Sequence, residues 1–264
     1  MKRNFKSRKL VIKIGTNTLS DKRGLLDAKV MKNIASQIAK IRKNRQIILV
    51  TSGAIGAGMK ELKVRKKPKD IVMKQVCAGV GQSILMAKYH DLFQRYGIKI
   101  AQILLTHDVF KNKTTFKNLR NSLNRLLNLG VVTIINENDP ISVDEIGPAF
   151  PAVGDNDHMS ALIATKLKAD ALVILTNVNG LYDKDPINKG AVLVREVRKI
   201  DRKIDRMCGK ESHLGVGGMK SKIQAAKETT KAGIIVVVAN GRHKDVLPRI
   251  LNNEEVGTIF YPGN

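Results

Sequence analysis

Tryptophan is absent from the sequence, aromatic residues are rare, and there are only two cysteines. Phe, Trp and Tyr together make up 4% of the 264 residues. The two cysteines, Cys77 and Cys208, lie far apart and form no CxxC pair. A disulfide framework and a cysteine-based zinc site are therefore not expected.

Long hydrophobic runs are also missing. The longest, from Ile234 to Ala239, has the length of a buried strand and falls far short of the roughly 20 apolar residues that span a bilayer. The basic N-terminus does not read as a signal peptide, because the apolar stretch that starts at Leu10 is interrupted by Lys13 and Gly15. We therefore predict a cytoplasmic protein with no membrane partner.

Acidic residues are scarce compared with basic ones. The chain has 47 Lys and Arg against 23 Asp and Glu, which gives a formal net charge of +24. Such a charge suits nucleic-acid binding, but the basic residues are spread along the chain, with one short dense run from Lys63 to Lys69, and no stacking aromatics are interleaved with them. We interpret the charge as a solvated surface that attracts anionic substrates, and we predict no nucleic-acid partner.

Apolar residues make up 43% of the chain and occur in short strands that alternate with helices. This alternation predicts an α/β fold with a mainly parallel sheet and helices on both faces, in one domain over residues 1–264. The predicted strands are Lys9–Ile14, Gln46–Val50, Ile98–Leu105, Val131–Ile135, Ala171–Leu175, Ile234–Val238 and Thr258–Phe260. The predicted helices include one that starts at the N-cap Asp27 and ends near Lys43, one from about Ile71 to Tyr96, Thr115–Leu129, about Met159 to Lys168, and one that ends at Ala232.

Four of these strands end in polar or glycine-rich segments. The segments are Gly15–Asn17, Ser52–Gly53, Asn136–Asp139 and Thr176–Asn177. Parallel sheets bind ligands at the carboxyl ends of their strands. The sequence therefore predicts a ligand site where these four segments meet.

The familiar phosphate-binding and catalytic motifs are absent. The sequence contains no GxxxxGK[ST], GxGxxG, HRD, DFG, GxSxG or HExxH. It does place Lys13 before the Gly15 turn and Lys222 after Gly217–Gly218. Two lysines that converge on a phosphoryl group would neutralise its charge during transfer. A solvated lysine is the simpler interpretation of Lys222, whereas Lys13 interrupts a buried strand, which is uncommon for an unpaired lysine.

Two acidic clusters stand out in this lysine-rich chain, Asn136–Asp139 and Asp155–Asp157. Such residues often serve turns and helix caps. The functional alternative is that they fix ammonium groups, either those of a substrate or those of the two lysines.

Five segments, taken in order, resemble the amino-acid kinase family and within it the glutamate 5-kinases. They are Lys13–Leu19, Val50–Ile55, Ile135–Asp139, Gly154–Asp157, and Gly217–Met219 with Lys222. The resemblance covers nearly the whole chain. It implies a three-layer αβα sandwich, with an amino-acid-binding lobe over about residues 1–170 and a nucleotide-binding lobe over about residues 171–264.

The resemblance also implies a reaction. The γ-phosphoryl group of MgATP would move to the side-chain carboxylate of L-glutamate, giving L-glutamyl 5-phosphate in the first step of proline biosynthesis. A carboxylate with a pKa of about 4.3 is already ionised at neutral pH, so no general base is needed. The five histidines accordingly form no evident catalytic pairing in the sequence, and His158 is near the site only in sequence.

Roles for individual residues follow from the same resemblance. Lys13 and Lys222 would stabilise the transferred phosphoryl group, and Asp157 would orient both lysines. The implied glutamate-binding residues are Ser52, Gly53, Asp139 and Asn156. The implied nucleotide-binding residues are Lys13, Gly15, Thr176, Asn177, Val216, Gly217, Gly218, Met219, Lys220, Ser221 and Lys222. Gly15 and Gly53 would offer backbone N–H donors to phosphate, and Mg²⁺ would be held mainly by the nucleotide phosphates, with no metal site of the protein's own.

The sequence departs from the family pattern in several places. Asn177 stands where the family usually has Asp, and Val216 where it has Thr, which leaves the nucleotide preference open. The sequence ends where a kinase domain would end, so we expect no C-terminal PUA domain. The segment 146–153 differs in composition from a proline-sensing loop, which leaves feedback inhibition open.

The resemblance further implies a homo-oligomer of two or four chains and a functional coupling to a glutamyl-phosphate reductase. Two alternatives to the glutamate kinase stay open. One is a kinase of the same fold with another small anionic acceptor, such as acetylglutamate, aspartate or carbamate. The other is a basic nucleic-acid-binding protein that keeps the fold without catalysis.

Overall fold

The computed structural model describes residues 7–21, 23–142, 155–208 and 218–263. Within these ranges the strands are β1 (Lys9–Ile14), β2 (Gln46–Val50), β3 (Ile100–Leu105), β4 (Val132–Glu137), β5 (Ala171–Thr176), β6 (Glu196–Val197), β7 (Ile235–Asn240) and β8 (Thr258–Phe260). The α-helices are α1 (Thr16–Leu19), α2 (Ala28–Ile41), α3 (Ala54–Glu61), α4 (Ile71–Gln94), α5 (Lys113–Asn128), α6 (Asp155–Lys166), α7 (Arg202–Met207), α8 (Met219–Lys231) and α9 (Val246–Leu251).

The strands form one sheet in the order β3-β4-β2-β1-β5-β7-β8-β6. The first six in this order are parallel, whereas β8 runs antiparallel to β7 and pairs in parallel with β6. The four strands with polar ends, β4, β2, β1 and β5, are direct neighbours. Their polar ends therefore lie side by side at one edge of the sheet, as the sequence predicts.

Two hydrophobic cores cover the two faces of the sheet, so the molecule has the predicted three layers. Leu10, Ile12 and Ile14 of β1 belong to the core that contains α2 and α4 residues, and Val11 belongs to the core that contains α6 and α8 residues. Because successive strand residues point to opposite faces, Lys13 points to the same face as Val11. The alternation of β1 thus directs Lys13, the buried lysine of this strand, toward α6 and α8.

Most element boundaries agree with the prediction to within a few residues. Asp27 caps α2 as predicted, because its side chain accepts hydrogen bonds from the N–H groups of Lys29 and Val30. The sequence reading missed the short elements α1, β6, α7 and α9, which are two to six residues long and too short to show a hydrophobic period. Cys77 and Cys208 are both free thiols. Among the described helices, none has the length and apolar character to cross a membrane.

Helices α3 and α4 touch backbone to backbone through glycines. A Cβ atom on Gly81 would lie 1.8 Å from the carbonyl oxygen of Ala54, and one on Gly58 would lie 1.8 Å from the carbonyl oxygen of Cys77. Neither distance leaves room for a methyl group. This contact holds α4 against the start of α3, directly after Ser52 and Gly53.

The close contact predicts opposite stability effects for two glycines of α4. We expect Gly81→Ala to lower the free energy of unfolding by about 1–3 kcal/mol or more, because the methyl group forces the helices apart. Gly79→Ala is the matched control: its Cβ would meet only a Pro140 side-chain atom, at an ordinary 3.7 Å. Since alanine favours the helix over glycine by about 1 kcal/mol, Gly79→Ala should be neutral or stabilising. Urea denaturation measures both variants, and equal effects would contradict the proposed packing.

Candidate active site

Two lysines and one aspartate form a buried cluster at the polar edge of the sheet. Lys13 Nζ lies 2.6 Å from Asp157 Oδ1, and Lys222 Nζ lies 3.1 Å from Asp157 Oδ2. Lys13 and Lys222 are each 5% exposed and Asp157 is fully buried. Lys13 comes from β1, Asp157 from α6 and Lys222 from α8. Lys13 and Asp157 are separated by more than 140 positions in the sequence. The structure thus brings together the three residues expected to be catalytic.

Burial and neighbouring charges shift the pKa values of Asp157 and Lys13 in this cluster. Burial raises the pKa of Asp157, but the charges of Lys13 and Lys222 and the hydrogen bonds to Asp157 outweigh it and bring that pKa down to about 2. Burial lowers the pKa of Lys13, and the neighbouring charge of Lys222 lowers it further, while Asp157 opposes both effects. Asp157 is therefore ionised at neutral pH.

The start of α8 closes the cluster from one side. Ser221 Oγ donates a hydrogen bond of 2.6 Å to Asp157 Oδ2. Gly218 is the N-cap of α8 and brings no capping side chain, so the first N–H groups of the helix have no partner from the cap residue. Such a helix start favours anions. Met219 is half-buried and Lys220 is exposed at the same helix end.

Polar side chains continue the site along the ends of β2 and β4. Asn156 Nδ2 donates to Ser52 Oγ at 3.0 Å and lies 3.5 Å from Asn136 Oδ1. Gly53 follows with φ = 104°, a left-handed conformation that glycine adopts readily, and turns the chain into α3. Three of the residues expected to bind glutamate, Ser52, Gly53 and Asn156, thus lie in one place beside Asp157.

Asp139 lies further along the same edge, at the start of a 3₁₀ helix over Asp139–Ile141. Glu137, the last residue of β4, is buried and accepts a hydrogen bond from Ser142 Oγ. Both carboxylates line a cavity beside α4. Glu137 belongs to the predicted polar segment, but the sequence reading assigned it no role, because nothing in the sequence shows that its side chain is buried at the site.

Besides those at the start of α8, the residues expected to bind nucleotide lie at the ends of β1 and β5. Thr176 is buried, Asn177 is exposed, and Asn240 Nδ2 donates to the backbone oxygen of Asn177 at 3.4 Å. The N–H of Gly15 donates to the Leu175 carbonyl oxygen at 3.1 Å. The pairing of β1 with β5 therefore uses this N–H, and its donation to phosphate stays a prediction. Val216, Gly217 and the segment 146–153 lie outside the described residues.

Known proteins resemble this chain over nearly its whole length. Residues 8–240 match the model of the Amino acid kinase family. The chain belongs to the amino acid kinase family. Its curated relatives place it in the glutamate 5-kinase group of that family. The glutamate 5-kinase of Methanococcoides burtonii is 47% identical over 96% of this chain, and that of Dehalococcoides mccartyi is 41% identical over 97%. The chain covers 67% and 69% of the lengths of these two relatives.

Solved structures of two other kinases share the fold. Carbamate kinase from Giardia lamblia bound to AMP-PNP has a TM-score of 0.67 and 17% identity, with 97% of this chain and 98% of that chain covered. UMP kinase from Bacillus anthracis has a TM-score of 0.65 and 17% identity, with 98% and 97% covered. At this identity the likeness shows the three-layer fold alone.

A histidine also links the two helices of the kinase that carry Asp157 and Lys222. His158 Nδ1 lies 2.9 Å from Glu228 Oε2, and the rings of His158 and His107 stack with their centroids 5.4 Å apart. The expectation that His158 is near the site only in sequence stays a prediction. Its partner lies 70 positions away, so no local pattern could reveal the pair.

The described ranges contain no group of three or more His, Cys, Asp or Glu that could hold a metal ion. The groups available to bind a nucleotide are instead positively charged side chains and the N–H groups at a helix start. The two lysines and Asp157 carry a net charge of +1, and the start of α8 lies beside them. This donor set fits the phosphates of a nucleotide.

Proposed function

We propose that this chain phosphorylates the side-chain carboxylate of L-glutamate with ATP, giving L-glutamyl 5-phosphate for proline biosynthesis. The observation that carries the proposal is the buried cluster in which Lys13 and Lys222 flank Asp157. Two ammonium groups and one carboxylate leave a net positive charge, which would stabilise the phosphoryl group during its transfer. The glutamate 5-kinase names of relatives at 41–47% identity support glutamate as the acceptor.

The cluster would act by position and charge. Phosphoryl transfer requires mainly alignment of the reactants and neutralisation of the charge on the phosphoryl oxygens. Asp157 contacts both ammonium groups and so holds them in place before a substrate binds, which lowers the cost of reorganisation during the reaction. Lys13 approaches from the sheet and Lys222 from α8, so the phosphoryl group would pass between them.

The acceptor would lie along the ends of β2 and β4. Ser52, Asn156 and Gly53 would hold the carboxylate that is phosphorylated, and Asp139 would bind the substrate ammonium group. That carboxylate is ionised at neutral pH because its free pKa is about 4.3, so the site needs no proton acceptor.

ATP and Mg²⁺ complete the proposal. MgATP supplies the phosphoryl group and extra positive charge when it is bound. The start of α8, from Gly218 to Lys222, would hold the phosphates, and Thr176 and Asn177 would lie beside the nucleoside. We expect Mg²⁺ to be bound mainly through the phosphates.

The test is ADP release from MgATP with L-glutamate, with and without hydroxylamine. Hydroxylamine traps an acyl phosphate as a hydroxamate. Glutamate-dependent ADP release with a glutamyl hydroxamate product is the expected result. ADP release with carbamate, aspartate or acetylglutamate but not with glutamate would overturn the acceptor. No turnover with any acceptor, together with tight salt-sensitive RNA binding, would overturn the kinase proposal.

Asp139 supplies a prediction about substrate binding. We expect Asp139→Ala to raise the KM for L-glutamate by about 10- to 100-fold with little change in kcat, because a charge-assisted contact made equally in the ground and transition states is lost. The KM for ATP should stay within about twofold. Asp108→Ala, on an exposed 3₁₀ turn, makes the same charge change as a control. An unchanged glutamate KM would remove Asp139 from the site.

Several expectations from the sequence are not tested by the fold or the site. The cytoplasmic location, the dimer or tetramer, the coupling to a glutamyl-phosphate reductase and the division into two lobes all stay predictions. Gel filtration with light scattering would measure the oligomeric state directly.

A further inference from the structure

A cavity of about 280 Å³ opens between α4, β3 and the segment after β4. Its lining includes Gln82 from α4 together with Glu137 and Asp139. This volume is close to the lower end of the range of about 300–1,000 Å³ typical of small-ligand pockets. The cavity adjoins the polar edge of the sheet, and it shares Asp139 with the proposed glutamate site.

Gln82 is a buried amide with only one end engaged. Its side chain is 8% exposed, and its Oε1 accepts a hydrogen bond of 2.8 Å from Asn136 Nδ2. Its Nε2 is buried and has no hydrogen-bond partner among the described residues. A buried donor without a partner is costly and needs an explanation, such as a ligand.

Hydrogen bonds between neighbouring side chains indicate which end of the Gln82 amide has no partner among the described residues. Asn156 Nδ2 faces Ser52 Oγ and Asn136 Oδ1, so Asn136 presents its Nδ2 to Gln82. Gln82 accepts from this donor with Oε1, so Nε2 is the end without a partner among the described residues, on a side chain that lines the cavity. The chain of hydrogen bonds ends at Asn156, which directly precedes Asp157 in the sequence.

The backbone around Gln82 is equally constrained. Gly81 lies against the Ala54 carbonyl oxygen, one residue after Gly53. This close contact of α3 and α4 sets the distance between Gln82 and the Ser52–Gly53 turn. The Gln82 amide is therefore a preorganised donor.

We propose that Gln82 is a substrate-binding residue whose Nε2 donates to the α-carboxylate of the amino-acid substrate. The inference rests on the proposed function and deepens it. The side-chain carboxylate has to reach Lys13 and Lys222, so the other end of the substrate lies toward the cavity. There its ammonium group meets Asp139, and its α-carboxylate needs a donor beside two acidic residues. A neutral amide supplies that donor, whereas a lysine would pair with the acids.

Gln82→Glu is the sharpest variant. It keeps an oxygen to accept from Asn136, replaces the amide donor by an acceptor and adds a negative charge. We expect the KM for L-glutamate to rise about 10- to 100-fold, with the KM for ATP within about twofold. Gln82→Met, which removes both polar ends, should raise the glutamate KM as well. Gln94→Glu, at the exposed end of α4, carries the same charge change and should leave both constants unchanged. Thermal unfolding establishes that each variant is folded.

A second readout identifies the carboxylate. L-Glutamate α-amide keeps the side-chain carboxylate and replaces the α-carboxylate by an amide, which can donate to the new carboxylate of Gln82→Glu. The preference for L-glutamate over its α-amide, measured as the ratio of kcat/KM values, should fall at least tenfold in this variant. An equal loss for both compounds would overturn the assignment to the α-carboxylate. A glutamate KM within twofold of wild type in both Gln82 variants would overturn the proposal while the wild-type activity stands. A wild type without glutamate-dependent ADP release would instead overturn the proposed function.

Discussion

Replacing Lys222 by methionine is expected to lower kcat by on the order of 10²–10³ or more while the fold stays intact. Lys222 lies 3.1 Å from Asp157, is 5% exposed, and starts from the first turn of α8. Its ammonium group would neutralise charge that develops on the phosphoryl oxygens, a contribution concentrated in the transition state. Methionine has a similar length and lacks the charge. The KM values should therefore change much less than kcat.

The measurement is steady-state ADP release by the Lys222→Met variant with L-glutamate, accompanied by circular dichroism. Lys231→Met, at the exposed end of the same helix, removes an equal charge from the same element. We expect this control to behave as wild type. Near-normal turnover in a folded Lys222→Met variant would remove Lys222 from the catalytic centre.

Replacing Asp157 by asparagine is expected to affect both turnover and stability. Two buried ammonium groups would then lie near each other without their shared carboxylate. Breaking a buried ion pair by removing one partner typically costs about 3–5 kcal/mol, and we expect a loss of this order in the free energy of unfolding. Turnover should fall by on the order of 10² or more, because the lysines lose the group that positions them.

The pH dependence distinguishes this mechanism from a simple packing defect. In the wild type, burial already lowers the pKa of Lys13, while Asp157 opposes that effect. Without the carboxylate, the folded-state pKa of Lys13 falls further below its unfolded value. Because the folded protein then favours the neutral amine, the stability of Asp157→Asn should rise relative to wild type as the pH increases toward the unfolded pKa of about 10.4. Urea denaturation between pH 6 and about pH 10 measures this difference, with Asp91→Asn on the exposed surface of α4 as control. A deficit that is constant with pH would contradict the proposed role of the charge.

The central strands were the most predictable part of the fold. Lys9–Ile14 and Gln46–Val50 are apolar runs bounded by polar or glycine residues, and their observed ends match the prediction. Such strands are buried on both faces, so their sequence alone marks them. The two-residue strand Glu196–Val197 was not predictable, because it exists only through its pairing with β8.

The candidate site was likewise predictable only in part. The residue types and the order of the motifs pointed to Lys13, Asp157 and Lys222 through resemblance, and Lys13 was also conspicuous as a lysine in an apolar strand. The hydrogen bond from the Gly15 N–H to Leu175 was not predictable, because a glycine-rich turn does not reveal which backbone donors the neighbouring strand already uses. The partnership of His158 with Glu228 and the half-engaged amide of Gln82 had no signal in the sequence.

By itself, the sequence determined the α/β class, the main strands, the family and the chemical character of the site. These follow from local apolar periodicity and from motifs in a fixed order, which are properties of contiguous residues. Only the tertiary structure decided that Lys13 and Lys222 contact the two oxygens of one carboxylate, and that Gln82, which lines the cavity beside Asp139, has a donor without a partner among the described residues. Such arrangements depend on the parallel order of β4, β2, β1 and β5 and on the packing of α4, α6 and α8. They join residues tens to hundreds of positions apart, and no local pattern encodes the distance between them.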